Sequence, residues 1–200
     1  MRSWISAAAL IQDRKVLRYI GKKYITARRE MGFLVPSKGY EYATIKGHKC
    51  AIIVGDDLSR ERDFDQSVET VISINARKYG KGTMTYRYEM MRNLAFVESK
   101  NLVLVNQVGG STDIVYDGTS GALNSRGELV LMMKNFEEDF QIFDTKASAR
   151  PITIPSTYND RTRLVYEAAR CGLRDFFRKN GYRKASIGLS GGISSRKRAR

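Results

Sequence analysis

Short apolar runs rich in β-branched residues alternate with turn signals through the first half of the chain, which is typical of strands. Two of these runs flank the polar triplet Asp13–Arg14–Lys15, and two more flank Lys46–Gly47–His48, so both pairs predict hairpins. Apolar side chains recur at helical spacing over residues 84–100 and predict an amphipathic helix. The predicted strands are 7–11, 16–20, 42–45, 49–54, 68–74 and the fully apolar 102–105, which we expect to be buried on both faces.

The second half adds four short predicted strands and then changes in composition. The strands are expected at about 113–117, 119–124, 128–133 and 139–143. Residues 145–160 contain Pro151 and Pro155 among several Ser and Thr residues and predict a linker. Beyond it we expect a helix over 161–179, capped by Asn159 or Asp160 and ended by Asn180–Gly181, and then a strand at 184–189. The whole pattern indicates an α/β fold.

Composition limits the classes of protein that this chain can represent. With 200 residues, 42% of them hydrophobic and 28% charged, it fits one globular domain, or one domain and the start of another. No apolar run approaches the roughly 20 residues of a membrane span, and the N-terminus lacks a signal-peptide pattern, so we predict a cytoplasmic protein. Cys50 and Cys171 are far apart and form no ligand cluster, which predicts small buried residues rather than a disulfide or a zinc site.

The charge balance is unusual and raises the alternative of a basic nucleic-acid-binding module. The net charge is +14 and the sequence pI is near 9.9. Four of the positive charges lie in 196–200, while the others are dispersed without an RNA-binding aromatic motif or a zinc finger. Charge of this kind bears on solubility and non-specific binding rather than on fold, and a solvated basic surface is the favoured interpretation.

A glycine-rich junction follows the last predicted strand. Residues 190–195 read Ser-Gly-Gly-Ile-Ser-Ser. Consecutive backbone N–H groups without intervening side chains can bind phosphate oxygens, although short glycine motifs also occur as ordinary turns. We name Ser190, Gly191, Gly192 and Ser195 as candidate phosphate-binding residues.

The end of the chain resembles the start of the synthetase domain of glutamine-dependent NAD synthetases. The resemblance rests on residues 161–195, above all Lys179–Lys184 leading into Ile187–Ile193. It implies an ATP-pyrophosphatase domain of the adenine-nucleotide alpha-hydrolase-like type, with ATP and Mg as cofactors and deamido-NAD as a substrate. The family loop reads Ser-Gly-Gly-Ile-Asp-Ser, whereas Ser194 stands at the aspartate position here. Because 196–200 also departs from the family, we interpret the end as a truncation.

The upstream part resembles the late part of the nitrilase-type glutaminase domain of the same enzymes. The residues that carry this resemblance are 106–110, Asp117–Ser120 and 136–139. It implies part of an αββα sandwich, in which a Glu–Lys–Cys triad releases ammonia from glutamine. Since the first third of that domain is expected to precede residue 1, we expect the triad glutamate to be absent and a sheet edge to be unpaired.

Two members of the triad can be sought in this chain. The segment Tyr19–Thr26 resembles the family's Tyr-x-Lys-x-x-Leu-Pro stretch, and we place the oxyanion-stabilising lysine at Lys23 rather than at Lys22. The nucleophile follows a strand in a Val-x-Ile-Cys-Glu-Asp pattern, where this chain reads Ile52 to Asp57 with Gly55 at the cysteine position. We therefore expect no glutamine hydrolysis by the chain alone.

Several other polar residues are weaker candidates. Lys81 and Arg87 follow a stretch that resembles the lining of the family's glutamine pocket, and they are candidates to bind a carboxylate. They equally fit exposed cations at a helix start. Asp56 and Asp57 have no third ligand in view, so we assign no metal site, and His48 has no histidine partner for acid–base work.

The sequence therefore predicts three segments and two classes of function. Residues 1–144 are a partial nitrilase-like (carbon-nitrogen hydrolase) domain, 145–160 a linker and 161–200 the start of a synthetase domain. The resemblance implies a part of an NAD-synthesising ligase that uses glutamine, forms homo-oligomers and has no membrane partner. The alternative is a non-catalytic nitrilase-fold scaffold or a basic module that binds nucleic acid.

Overall fold

The computed structural model describes residues 4–26, 30–38, 42–60, 63–146 and 150–188. Within them, strands and two long helices follow the mixed order that the sequence predicts. The strands are β1 (Ala7–Gln12), β2 (Lys15–Gly21), β3 (Tyr42–Ile45), β4 (His48–Val54), β5 (Thr70–Asn75), β6 (Asn101–Asn106), β7 (Val108–Ser111), β8 (Ile114–Asp117), β9 (Gly121–Leu123) and β10 (Leu129–Met132). The helices are α1 (Thr83–Glu98) and α2 (Arg161–Asn180), with 3₁₀ turns at Gly55–Ser59 and Ser156–Tyr158.

A six-stranded sheet in the order β10-β9-β6-β5-β4-β3 is the centre of the fold. The inner strands β4, β5 and β6 run parallel, and Ile52 pairs with Ile72, which in turn pairs with Val103. The pairs β3–β4, β6–β9 and β9–β10 are antiparallel. Because the parallel strands end at one edge, the residues after β4, β5 and β6 come together there.

Helix α1 covers one face of this sheet and forms the core with it. Met91 and Leu94 are fully buried, and they belong to one cluster with Val71, Leu102 and Leu104 of the sheet. Burial of each such side chain stabilises the fold by roughly 1.5–3 kcal/mol. The helical spacing of the apolar residues in 84–100 therefore predicted α1 correctly, with bounds that differ by one or two residues.

The opposite face of the sheet is open in the described part of the chain. Side chains alternate along each strand, so Val103 and Val105 point away from α1 while Leu102 and Leu104 point towards it. Val105 is 49% exposed and Ile74 is 40% exposed. The expectation that 102–105 is buried on both faces is therefore wrong for this chain, because no described element packs over that side.

The β1–β2 hairpin confirms the first predicted turn. Asp13 and Arg14 form it with positive φ angles of 50° and 63°, as a two-residue hairpin turn requires. Most side chains of the hairpin are exposed, but Ile20 is buried at 1% exposure. The end of β2 thus reaches the protein interior.

Helix α2 begins and ends at the predicted signals. The Asp160 side chain accepts the N–H of Arg163 at 3.0 Å, and Gly181 ends the helix with φ 68°. The helix packs against β7 and β8, and its buried residues are Ala168, Cys171 and Asp175.

Two expectations about regular structure are wrong, and one strand was missed. Residues 139–143 form no strand, because the Asp139 carboxylate binds the N–H groups of Lys134 and Phe140 in a local turn. Of the strand expected at 184–189, residues 184–188 are irregular and pair with no described strand, and Leu189 lies outside the described residues. Strand β7 was not predicted, since Gly109–Gly110 resembles a turn until β8 and α2 pack on it.

The predicted linker makes contacts with the main body. The N–H of Ile152 donates to the carbonyl of Leu129 at 2.8 Å, and Ile154 and Tyr158 pack against the core cluster. Among the described helices, none is long and apolar enough to cross a bilayer.

Candidate functional site: the turn after strand β4

The candidate site is the turn at which β4 leaves the central sheet. Gly55 is its first residue and has a φ of 65°, in the left-handed region that L side chains rarely adopt. Such a turn after a parallel strand presents the next side chain at the carboxyl edge of the sheet, where ligands bind in α/β proteins. Gly55 is also the position at which the resemblance described above leads us to expect the nucleophile.

Lys22 is the side chain that lies against Gly55. A Cβ atom at position 55 would lie 3.4 Å from Cε and 3.6 Å from Nζ of Lys22. The lysine is 5% exposed, and its ammonium donates to Glu30 Oε2 at 2.7 Å. In the described part of the chain, a buried cation that is bound to a carboxylate thus faces position 55.

Lys23 points in another direction. Its ammonium lies 5.3 Å from the centroid of the Tyr24 ring, and its backbone N–H donates to Asp57. Both lysines follow the end of β2, and the three heavy atoms nearest to a Cβ added at Gly55 all belong to Lys22. The signal that could have selected Lys22 is the Lys-x-x-apolar spacing, since Ile25 follows Lys22 by three residues.

Two adjacent carboxylates follow Gly55, and each has a different role. Asp57 is 2% exposed and accepts the N–H groups of Lys23 at 2.7 Å and Tyr24 at 3.0 Å. Burial raises the pKa of Asp57, although both N–H groups and Lys22 act in the opposite direction. Asp56 instead accepts the Thr26 hydroxyl at 3.1 Å and the Arg77 guanidinium at 2.9 Å. In the described ranges no three His, Cys, Asp or Glu side chains group together as metal ligands.

Arg77 is a further residue of the site, and the sequence patterns did not single it out. It follows β5, and its N–H and C=O bind the side chain of Asn106 at 2.8 and 3.2 Å. Asn106 is the last residue of β6. The ends of three parallel strands are thereby joined through Asp56, Arg77 and Asn106.

The two cations proposed to bind a substrate carboxylate lie elsewhere. Arg87 is fully buried in α1 and binds both oxygens of Asp117 at 2.9 and 2.7 Å, while its other Nη donates to the Gly118 carbonyl at 2.9 Å. Its carboxylate partner is therefore internal, and a substrate has no access to it. Lys81 is exposed in the turn before α1, and it is not among the side chains nearest to position 55.

The two cysteines and the histidine are the remaining candidates, and their contacts are with other residues of the fold. Cys50 and Cys171 are both buried, as predicted, and burial raises the pKa of each thiol. His48 is the half-buried first residue of β4, and its Nδ1 lies 2.9 Å from Oε2 of Glu69. An apolar cavity of about 370 Å³ on the open sheet face is lined by Val103, Val105, Leu131 and Phe143 among others, and neither Lys22 nor Gly55 borders it.

Comparison with known proteins identifies relatives of the chain. No protein-family model matches it. It is 27% identical over 199 residues to the glutamine-dependent NAD(+) synthetase of Acinetobacter baylyi, covering 95% of this chain and 37% of that protein. It is 30% identical over 212 residues to the enzyme of the same description from Synechocystis sp., with 95% and 38% covered. The chain is a relative of the glutamine-dependent NAD(+) synthetases.

Solved structures agree with this relationship. The NAD(+) synthetase of Acinetobacter baumannii in complex with ADP superposes with a TM-score of 0.78 at 27% identity, over 96% of this chain and 38% of that one. A carbon-nitrogen hydrolase from Helicobacter pylori G27 gives a TM-score of 0.59 at 18% identity, over 68% and 55% of the two chains. The second likeness shows the fold alone, a partial nitrilase-like α/β fold. The chain spans somewhat more than a third of the NAD(+) synthetases that it matches.

The phosphate-binding candidates of this NAD(+) synthetase relative are not part of the described structure. Ser190, Gly191, Gly192 and Ser195 lie outside the described residues. Helix α2, which precedes them, is bound to β7 through Gly110, because Asp175 accepts its N–H at 2.8 Å and Lys179 donates to its carbonyl at 2.5 Å.

Proposed function

We propose that this chain provides the glutaminase part of a glutamine-dependent NAD(+) synthetase, with Lys22 as the oxyanion-stabilising lysine and Gly55 at the position of the nucleophile. The observation that supports this is the contact of Lys22 with Gly55, at a left-handed residue directly after a parallel strand. The earlier assignment of the lysine to Lys23 gives way to Lys22, whose ammonium faces the site.

The chemistry of the site then depends on what position 55 carries. In a glutaminase of this type a thiolate attacks the amide carbon, and a lysine ammonium stabilises the oxyanion that develops. Gly55 has no side chain, so no covalent acyl intermediate forms there. We therefore propose that the chain accommodates glutamine without hydrolysing it.

Ammonia release from glutamine tests this proposal directly. The purified chain should release none above background, because loss of a nucleophile removes several orders of magnitude of rate. Gly55→Cys should instead be alkylated by an electrophilic glutamine analogue. The matched control is Gly47→Cys, which also has a positive φ but has no atom within 4 Å of the added Cβ. Hydrolysis by the unmodified chain, or equal alkylation at both positions, would contradict the proposal.

We further propose that residues 161–200 belong to a synthetase domain and that 190–195 bind phosphate oxygens. The support is the Ser-Gly-Gly-Ile-Ser-Ser sequence and the ADP complex of the Acinetobacter baumannii relative. ATP with Mg and deamido-NAD would then be ligands of the complete reaction, carried out in the cytoplasm. The four cations of 196–200 attract polyanions without selecting them.

Calorimetric titration distinguishes a specific nucleotide site from non-specific electrostatic attraction of polyanions. We expect ATP and tripolyphosphate to bind this chain equally, with or without Mg, and both to be lost at high salt. Micromolar binding of ATP that resists salt and is removed by Gly191→Val would contradict this expectation and indicate a selective site.

A non-catalytic scaffold is the second candidate function, and the open sheet face favours it. Ile74 and Val105 on that face are substantially exposed, and Phe140 near it is 83% exposed. Contiguous apolar surface of this kind marks interaction sites. Sedimentation equilibrium tests whether the chain forms homo-oligomers; a scaffold should associate, and Val105→Lys should weaken the association.

A further inference from the structure

The carboxylate of Asp57 joins the turn after β4 to the end of β2. Asp57 is 2% exposed, and each of its oxygens accepts a different backbone N–H, those of Lys23 and Tyr24. These residues lie 34 and 33 positions earlier in the chain, so the contact is tertiary. The two carboxylate oxygens of Asp57 therefore determine where the segment after Lys22 lies.

The backbone of Lys22 is held on its other sides as well. Its N–H donates to the carbonyl of Ser6 at 2.7 Å, and its C=O accepts the N–H of Ser37 at 2.9 Å. With the next two N–H groups bound by Asp57, the backbone at this point has partners in three separate segments. The position of the Lys22 Cα is therefore well defined, and Glu30 binds the ammonium at the other end of the side chain at 2.7 Å.

We propose that Asp57 is a positioning residue that places the Lys22 ammonium over position 55. This inference rests on the proposed function, because it gives a purpose to the lysine of the glutaminase-type site. Among the hydrogen bonds of the described residues, those of the Asp57 carboxylate go to backbone N–H groups and not to the Lys22 ammonium, and the atoms nearest to a Cβ at position 55 are those of Lys22. Asp57 acts through the backbone of residues 23 and 24, and it determines where the Lys22 ammonium lies.

A positioning role and a purely electrostatic role have opposite consequences for a thiol introduced at position 55. If Asp57 were only a nearby negative charge, Asp57→Asn would lower the pKa of that thiol. If Asp57 positions Lys22, Asp57→Asn places an NH₂ donor against an N–H donor, releases the segment and moves the ammonium away. The thiol pKa then rises. The other charged groups of the site are Glu30, Asp56 and Arg77, and they are the same with Asp57 and with Asp57→Asn.

The experiment uses the full chain with Gly55→Cys and measures alkylation by iodoacetamide at that position against pH, by mass spectrometry. We expect a thiol pKa at least about one unit below the ordinary 8.5. Adding Lys22→Met or Asp57→Asn should raise it to near 8.5. Adding Asp56→Asn is the matched control and should lower the pKa or leave it unchanged. Circular dichroism of each variant checks that the protein is folded.

The outcomes separate this inference from the proposed function. An ordinary thiol pKa in Gly55→Cys alone overturns the proposed lysine site, whereas a low pKa that Asp57→Asn leaves unchanged or lowers overturns only the role of Asp57. If Gly55→Cys does not fold, the reactivity of Lys22 toward acetic anhydride replaces it. Asp57→Asn in the original chain should then raise the labelling rate of Lys22 about tenfold, and an unchanged rate contradicts the inference.

Discussion

The guanidinium of Arg87 is buried against the carboxylate of Asp117, with Nη2 at 2.9 and 2.7 Å from its two oxygens. Arg87 comes from α1 and Asp117 from the end of β8, so this pair joins the helix to the hairpin. Burial raises the pKa of Asp117, while the charge and hydrogen bonds of Arg87 oppose that shift. The pair holds the structure together and leaves no free cation for a ligand at this point.

Removal of one partner from this pair should be strongly destabilising. We expect Arg87→Met to lower the free energy of unfolding by about 3–5 kcal/mol, because it leaves a buried carboxylate without its counter-charge. Urea unfolding measures this loss. The double variant Arg87→Met/Asp117→Leu should lose clearly less than the sum of the two single variants, and simple additivity would show that the residues do not interact.

Gly55 should be sensitive to substitution for two separable reasons. A side chain at its φ of 65° costs about 1–2 kcal/mol, and a Cβ would also contact Lys22 at 3.4 Å. Gly47→Ala provides the control, since its φ is 83° and the added Cβ has no neighbour within 4 Å. In thermal denaturation Gly55→Ala should destabilise by a similar amount or slightly more. A much larger loss would mean that Lys22 cannot adjust.

The contact of α2 with β7 should depend on pH through Asp175. Burial by itself would raise the pKa of Asp175, but hydrogen bonds from the Gly110 N–H and Arg174 outweigh it and hold the pKa below the usual value. Because the pKa of Asp175 is lower in the folded chain than in the unfolded chain, its charge stabilises the fold. This stabilisation is fully present above the unfolded-state pKa of about 3.9, and it is lost as the pH falls through the folded-state pKa. We therefore expect the difference in unfolding free energy between the original chain and Asp175→Asn to shrink between about pH 5 and pH 2 in urea titrations. A difference that is constant over this range would contradict the role of the charge.

The two native thiols should react slowly. Burial raises the pKa of Cys50, with a contribution from Glu69, and burial and Asp175 raise that of Cys171. Both features reduce the thiolate fraction and its access to reagents. At pH 8 we expect alkylation of both to be at least about tenfold slower in the folded chain than in urea. Rapid labelling of either residue in the folded chain would place it on a mobile or open part of the structure.

Local patterns predicted most of the elements because their causes are local. The spacing of Met84, Tyr88 and Met91 marks α1, and Asp160 and Gly181 mark the ends of α2. The missed strand β7, in contrast, depends on distant partners. Gly109 and Gly110 form a strand only because β8 and α2 approach their bare backbone, and an added Cβ at Gly109 would lie 2.8 Å from Asp175.

The sequence by itself determined the α/β class, the resemblance to NAD synthetases and the absence of a cysteine at position 55, since these depend on residue type and order along the chain. Only the tertiary structure decided that Lys22 rather than Lys23 faces Gly55, and that Arg87 binds Asp117 rather than a ligand. Both lysines follow the end of β2, and which of them meets a turn more than 30 residues away depends on the tertiary contacts that hold this segment, such as the hydrogen bond from the Lys23 N–H to Asp57. The partner of a buried charge likewise depends on how helix and sheet pack, which the order of residues does not specify locally.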